Sequence, residues 1–246
     1  MFRYFIYKVK KYIKRSIFYI HFIAIKDYLV IPKNSTIIVH IGKTGGSSLF
    51  KSLKLLNLFH IYKVVHVRKV IYRKDLKYII LIRNPINRTI SAFNYRYKNL
   101  IILKRNEDRF FNEKAILKKY KSLNNLAENL YFKNGRLNKK VSEEFKSIHH
   151  LNEDINFYLK DLLKKCSSKQ ILSVITQENL YEDALKTFNI ECHAKEKVGN
   201  NSLNQIHLTD FASYNLREYL NKDYLQIEKL YKMGKLSNKN YKSLIC

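Results

Sequence analysis

A lysine set among glycines and hydroxyl residues follows an apolar run, and residues of these types can together bind an anion. The run, residues 36–41, is rich in β-branched side chains. It is followed by a polar segment, residues 42–48, that leads into a helical pattern and contains Lys43, Thr44, Gly45, Gly46, Ser47 and Ser48. Glycines let successive backbone N–H groups converge, a helix N-terminus adds a partial positive charge, and lysine adds a full one. The segment therefore predicts binding of a phosphate-bearing small molecule.

The order of these residues excludes the P-loop of nucleoside triphosphatases, G-x-x-x-x-G-K-[ST]. Gly42, Lys43 and Thr44 match the end of that motif, but Ile37 occupies the place of its first glycine. In this chain the glycine pair follows the lysine, whereas in the P-loop the glycine precedes it.

A second segment that could bind an anion surrounds Arg83. Residues 77–82 predict a buried strand, and Arg83 follows at its carboxyl end, the edge where open α/β sheets bind ligands. Asn84 and Pro85 suit the N-cap and first position of a helix, and Ser91 lies two turns into it. The apolar side chains of this helix form one stripe facing the core, at Ile86, Ile90 and Phe93. Guanidinium and hydroxyl groups are good phosphate donors, so a second phosphate position is predicted.

The two segments together resemble those of sulfotransferases that use 3′-phosphoadenosine 5′-phosphosulfate (PAPS), in particular the carbohydrate group. Residues 41–49 (IGKTGGSSL) are similar to that group's I-P-K-T-G-G-T-S-L, with Gly42 in place of proline. Residues 83–93 match its R-[DN]-P-x-x-R-x-x-S-x-[FY] motif. The resemblance implies an α/β, P-loop-like three-layer fold with a central, mainly parallel sheet flanked by helices. It also implies that residues 43–48 hold the 5′-phosphosulfate and that Arg83 and Ser91 hold the 3′-phosphate.

A weaker resemblance extends over residues 36–233. Residues 171–183 look like a later strand and helix of the carbohydrate group, with Glu178 open to a structural role. Residues 197–202 look like a loop that closes over the nucleotide, so Asn201 and Ser202 are expected to bind it.

The resemblance implies a reaction in which a sulfuryl group passes from PAPS, the donor substrate, to a hydroxyl of a carbohydrate or other glycan. Lys43 would neutralise charge on the bridging oxygen, and the scheme needs no metal. The expected general base is His66, with His60 as the alternative, although a lone histidine among apolar residues is more often structural. His149 and His150 are expected to bind the acceptor. His40 is most simply a packed residue.

A net charge of +27 predicts anionic partners and leaves their identity open. It fits PAPS and an anionic glycan, and it also motivates a rival interpretation as a nucleic-acid-binding protein. However, the 19 tyrosines are spread along the chain, so no specific nucleic-acid partner is predicted. A nucleotide or sugar kinase with a degenerate P-loop is the alternative enzyme, although no strand-end aspartate is available to hold magnesium.

The predicted organisation is a basic amphipathic segment, residues 1–34, and a single sulfotransferase domain, residues 35–246. The first segment is expected to dock on the core as a helix or, alternatively, to contact an anionic membrane peripherally. Its longest apolar stretch is too short for a bilayer of roughly 30 Å, so no transmembrane helix is predicted. Three widely spaced cysteines indicate reduced thiols and a cytoplasmic protein, with the inner membrane surface as an alternative location.

The elements predicted for residues 36–98 follow the order β-α-β-β-α, with a helix stripe at Leu49, Leu53 and Leu56. Residues 99–165 are predicted to be a helical acceptor-binding insertion. One last helix is expected to end before Gly234, and the polar tail from Lys235 is expected to fray.

Overall fold

The computed structural model describes residues 25–26, 29–105, 108–191 and 208–246. Its centre is a sheet of four strands, β1 (Thr36–His40), β2 (Lys63–His66), β3 (Lys77–Ile82) and β4 (Ile171–Thr176). All neighbouring pairs are parallel and the strand order is β2-β1-β3-β4. The protein is therefore an α/β protein with a central all-parallel sheet, and the predicted order β-α-β-β-α is confirmed for its first half.

The two central strands carry apolar side chains on both faces, as expected for a parallel sheet covered by helices. Ile37 and Val39 of β1 pack in one core cluster, whereas Ile38 packs in another on the opposite face. The first cluster includes side chains of the helices at residues 155–165, 221–232 and 238–245, and the second includes side chains of the helices at residues 46–55 and 180–188.

Helix α1 (Gly46–Leu55) follows β1, and α2 (Pro85–Tyr97) follows β3. Asn84 caps α2 by accepting a hydrogen bond from the Asn87 N–H, and Pro85 takes the first helical position as predicted. The stripe predicted for α1 is wrong at one position, because the helix ends at Leu55 and Leu56 is 53% exposed.

The helical region after α2 begins with a π-helical turn, Lys98–Ile102. Four helices follow before β4: α3 (Glu113–Tyr120), α4 (Leu123–Glu128), α5 (Lys139–Lys146) and α6 (Ile155–Lys165). Side chains of α2 to α5 form a separate core cluster with those of the helix at residues 210–219. This region is helical, as the sequence predicts.

The C-terminal part differs from prediction. After α7 (Leu180–Phe188), the expected last helix is two helices, α8 (Asp210–Tyr219) and α9 (Asn221–Lys232). Gly234 follows with a φ of 70°, which agrees with its predicted role beyond a helix C-terminus. The tail does not fray: it forms α10 (Asn238–Ile245), whose Leu244 is fully buried in the core.

In the part of the chain that the structure describes, no helix has the length and apolarity needed to cross a bilayer.

Candidate functional site

The polar segment after β1 forms a tight loop whose backbone faces the N-terminus of α1. Lys43 and Gly45 both have positive φ values, 74° and 80°. Gly45 is the N-cap residue, and no side chain caps the helix. Because the first amides of a helix have no acceptors within it, this uncapped end can donate to an anion. A β-carbon on Gly45 would also lie 3.1 Å from Leu180 Cδ2. Glycine at this position therefore allows both the positive φ and the close packing against Leu180.

The hydroxyl residues of this loop are not equivalent. Thr44 is fully buried and its hydroxyl donates to the Ile41 carbonyl oxygen over 2.7 Å. The Thr44 hydroxyl therefore braces the loop. Ser47 is exposed, and Ser48 is buried in the first turn of α1.

Arg83 joins the two predicted anion segments. Its Nη1 lies 3.5 Å from the carbonyl oxygen of Lys43, to which it donates. The β1–β3 pairing creates this proximity, since the carboxyl ends of adjacent parallel strands meet at one sheet edge. Burial lowers the pKa of Arg83, while the nearby Glu178 carboxylate opposes that shift. We call residues 42–48, Arg83 and Ser91 the anion edge.

One carboxylate oxygen of Glu178 is used by the backbone. Its Oε1 accepts a hydrogen bond of 2.9 Å from the Asn84 N–H. The side-chain amide of Asn84 in turn donates to the carbonyl oxygens of Leu244 and Cys246, so the C-terminal helix is tied to this edge. These contacts support the structural role that the sequence left open for Glu178.

Lys43 is held over an aromatic ring. Its ammonium lies 4.0 Å from the ring centroid of Tyr95, a cation–π contact that orients the side chain without neutralising its charge. Tyr95 belongs to α2, the helix that also carries the half-buried Ser91. The sequence analysis did not identify Tyr95.

His66 ends β2 beside His40 at the end of β1, where the two residues are register partners. Nδ1 of His66 lies 2.9 Å from the carbonyl oxygen of His40. A carbonyl oxygen only accepts, so the hydrogen resides on Nδ1 and the Nε2 atom carries the lone pair. Partial burial lowers the pKa of His66, with positive charges of arginines adding to the effect, while the bond to His40 opposes it. His66 is therefore neutral near pH 7 and able to accept a proton.

Four imidazole rings form a continuous row, which we call the histidine stack. His40 stacks on His66 with centroids 4.2 Å apart, His66 lies 5.9 Å from His150, and His150 stacks on His149 at 3.8 Å. Burial lowers the pKa of His40 to about 3 and that of His149 to about 2, and it lowers the pKa of His150 as well. The stack thus brings both predicted acceptor histidines next to the predicted base.

Arg88, the second arginine of the Arg83 motif, is 1% exposed. Its Nη2 donates to the carbonyl oxygen of His150 over 2.6 Å and also to that of Glu153. Sequence analysis gave it no role. A signal was available, because Arg88 lies in helical phase with Pro85, Ala92 and Arg96, all buried on the core-facing side of α2.

Glu113 organises the backbone around the stack. It is fully buried and forms two short bonds to the Arg96 guanidinium, of 2.6 and 2.7 Å. It also accepts from the N–H groups of His149 and Arg109, over 2.9 and 2.8 Å. One carboxylate therefore fixes three separate chain segments.

In the described ranges, one group of three side chains offers atoms at metal-ligand spacing: His149, His150 and Glu153, within 4.8 Å of one another. The two rings stack at an interplanar angle of 22° with centroids 3.8 Å apart, so their lone pairs lie in two separate, nearly parallel planes. Glu153 already accepts from the His150 N–H and lies 3.8 Å from Arg109. These features fit a divalent metal ion poorly.

The other predicted site residues lie apart from this centre or outside the described residues. His60 lies in the 3₁₀ turn Phe59–Ile61 before β2, at the sheet edge opposite the Lys43 loop. This placement favours His66 over His60 as the base. Asn201 and Ser202 lie outside the described residues.

Comparisons with protein-family models, with curated protein sequences and with solved structures found no match for this chain.

Proposed function

We propose that this protein is a PAPS-dependent sulfotransferase that acts on a hydroxyl of an anionic carbohydrate or other glycan. One observation carries the proposal: Arg83 of the second anion segment reaches the Lys43 loop of the first, at the sheet edge that also bears His66. Two cationic positions at one edge suit a ligand with two separate phosphate groups. The proposed fold is the P-loop-like three-layer fold, in a single domain over residues 35–246.

In the proposed reaction the acceptor oxygen forms a bond to sulfur while the bond from sulfur to the 5′-phosphate oxygen breaks. The hydroxyl proton passes to Nε2 of His66, and adenosine 3′,5′-bisphosphate leaves. Lys43 and the amides of residues 44–48 stabilise charge on the leaving phosphate, while Arg83 and Ser91 hold the 3′-phosphate. Positioning and electrostatics supply most of the catalysis, as in phosphoryl transfer. No step requires a metal, and His149 and His150 would contact the acceptor.

Thermal unfolding with ligands separates this proposal from its rivals. We expect adenosine 3′,5′-bisphosphate to raise the melting temperature more than ATP with magnesium or an oligonucleotide does. Stabilisation by ATP with magnesium alone would favour a kinase, and stabilisation by the oligonucleotide alone would favour a nucleic-acid-binding protein; either result would reject the sulfotransferase.

Transfer of radiolabelled sulfate from PAPS to a panel of glycan, glycopeptide, lipid-linked sugar and tyrosine acceptors identifies the acceptor class. On the best acceptor, His66→Ala should lower kcat about 100-fold, since general bases contribute on this order. Wild-type activity should fall as the pH drops through a pKa below 6.5, because protonated His66 cannot accept the proton. His60→Ala is the matched control and should leave both rate and pH profile unchanged. A full loss in His60→Ala with none in His66→Ala would reverse the assignment.

Peripheral contact of residues 1–34 with a membrane, and a cytoplasmic location, remain predictions of the same proposal. Most of that segment lies outside the described residues.

A further inference from the structure

The ring of His150 fills the space that a side chain at residue 42 would need. A β-carbon added to Gly42 would overlap with Nδ1 of His150 and lie 2.9 Å from its Cε1, and its three nearest atoms all belong to that ring. The φ of Gly42 is not in the left-handed region, so its backbone would accept alanine without strain. Only the imidazole therefore enforces glycine at this position.

His150 itself is held in a strained conformation. Its φ is 70°, in the left-handed region, which is uncommon for residues other than glycine, although histidine is among those enriched there. Its carbonyl oxygen accepts from Arg88, and its N–H donates to Glu153 over 2.8 Å. The backbone is thus fixed on both sides. Such strain persists only where the surroundings impose it, and here Arg88 and Glu153 hold the backbone of the residue whose ring packs against Gly42.

Lys43, next to Gly42, shares this feature, with a φ of 74°. The loop is held from the other side by Arg83, which donates to the Lys43 carbonyl oxygen, and by the Thr44 hydroxyl. Two residues with left-handed backbone therefore adjoin Gly42, Lys43 through the chain and His150 through its ring.

We propose that His150 is a positioning residue for the Lys43 loop, and that Arg88 transmits its placement from α2. The segment that carries His149 and His150 then sets where Lys43 and the amides of the loop stand. A ligand that shifts the His150 ring shifts the loop, so occupation of the histidine stack and binding at the anion edge are thermodynamically coupled. The packing of His150 against Gly42 is independent of the proposed function, whereas its effect on donor binding rests on that function.

The test is a double-substitution cycle with Gly42→Ala, His150→Ala and the combined variant. Hydrogen–deuterium exchange of the amides of residues 43–49 reports on the loop without ligand, and calorimetry with adenosine 3′,5′-bisphosphate reports on its use. Gly42→Ala should speed exchange and weaken binding about tenfold, the cost of inserting one methyl group into a filled space. Adding His150→Ala should restore both to the level of His150→Ala alone. Rescue of this kind is not expected of a residue that merely supports folding.

The matched control is His40→Ala, which removes the ring facing the other crowded glycine, Gly46. It should not rescue Gly42→Ala. A double variant no better than Gly42→Ala, or equal rescue by His40→Ala, would overturn the link. If Gly42→Ala does not fold, Arg88→Lys in the full chain decides instead, because it should speed exchange of residues 43–49, and unchanged exchange would contradict the proposal. If the wild-type protein binds no bisphosphate, the proposed function fails while the exchange data still decide the link.

Discussion

The anion edge and the histidine stack meet at Gly42, yet they are built in opposite ways. The anion edge comes from two continuous segments, each shaped by its own turn chemistry: a positive-φ glycine at Gly45 and an N-cap at Asn84. The histidine stack depends on partners far apart in sequence. Glu113 and His149 are 36 residues apart, and Arg88 and His150 are 62 apart.

This difference distinguishes a binding site made of backbone amides from one made of side chains. A phosphate site built on backbone amides needs only the correct local turn, because every residue supplies an N–H group. A site for a variable acceptor needs side chains of particular types, and these must be held by buried long-range contacts. We expect substitutions to affect stability most around the stack and ligand chemistry most at the anion edge.

The largest effect is expected from Arg96→Ala, which leaves the carboxylate of Glu113 fully buried without its guanidinium partner. Removing one member of a buried ion pair costs about 3–5 kcal/mol of unfolding free energy. Urea unfolding followed by circular dichroism measures the loss. The control is Lys239→Ala, since the pair of Lys239 with Glu182 is more than half exposed and contributes about 0–1 kcal/mol. Equal losses in the two variants would show that the stack does not depend on this buried pair.

Lys43→Ala tests the anion edge and should act on turnover. Removing one preorganised charge stabiliser lowers kcat by about 100- to 1000-fold. The melting temperature should change little, because the Lys43 side chain is only half-buried and rests over Tyr95. Steady-state sulfate transfer gives the rate, with the exposed Lys54→Ala on α1 as control. A loss of stability as large as that of Arg96→Ala would erase the proposed contrast between the two regions.

The same difference explains what the sequence could predict. The loop at Lys43 and the strand and cap around Arg83 were predictable, because each depends on neighbours within one turn, whereas the predicted stripe is only partly right, since Ile86 and Ile90 are half-buried. His66 could be proposed from its place at a strand end. The helical phase of Arg88 indicates a buried position, but its partners could not be predicted, because the carbonyl groups that accept from it belong to a segment placed by tertiary packing. The C-terminal helix was missed for a similar reason: its sequence is polar, and one buried leucine, Leu244, with bonds to Asn84 holds it.

Arg83→Ala should weaken nucleotide binding and leave turnover at saturation nearly intact. A hydrogen bond to a charged group contributes about 1.5–3 kcal/mol, so the Kd for adenosine 3′,5′-bisphosphate should rise about 10- to 100-fold. Calorimetry measures it, with the exposed Arg136→Ala as a matched loss of charge. Comparable weakening by Arg136→Ala would mean that overall charge, and not the anion edge, attracts the nucleotide.

Asp223→Asn should have the smallest effect at low pH, and the effect should grow as the pH rises. Asp223 is buried on α9, where one oxygen accepts from the Asn156 N–H over 2.8 Å. Burial, with the nearby Asp154 carboxylate, raises the pKa of Asp223 from 3.8 to about 8. The folded protein therefore holds a proton that the unfolded chain releases above pH 4, so this group's contribution to stability is lost as the pH rises from 4 to 8.

Asparagine keeps the accepting oxygen and has no proton to lose. The variant should match the wild-type protein near pH 4 and become progressively more stable than it as the pH rises to 8. Thermal unfolding across this pH range measures the stability difference between the variant and the wild-type protein. The control is Asp161→Asn at an exposed position, where we expect a difference that does not change with pH. A stability difference that does not change with pH would mean that Asp223 is already ionised in the fold. The packed helices α6 and α9 would then tolerate a buried negative charge.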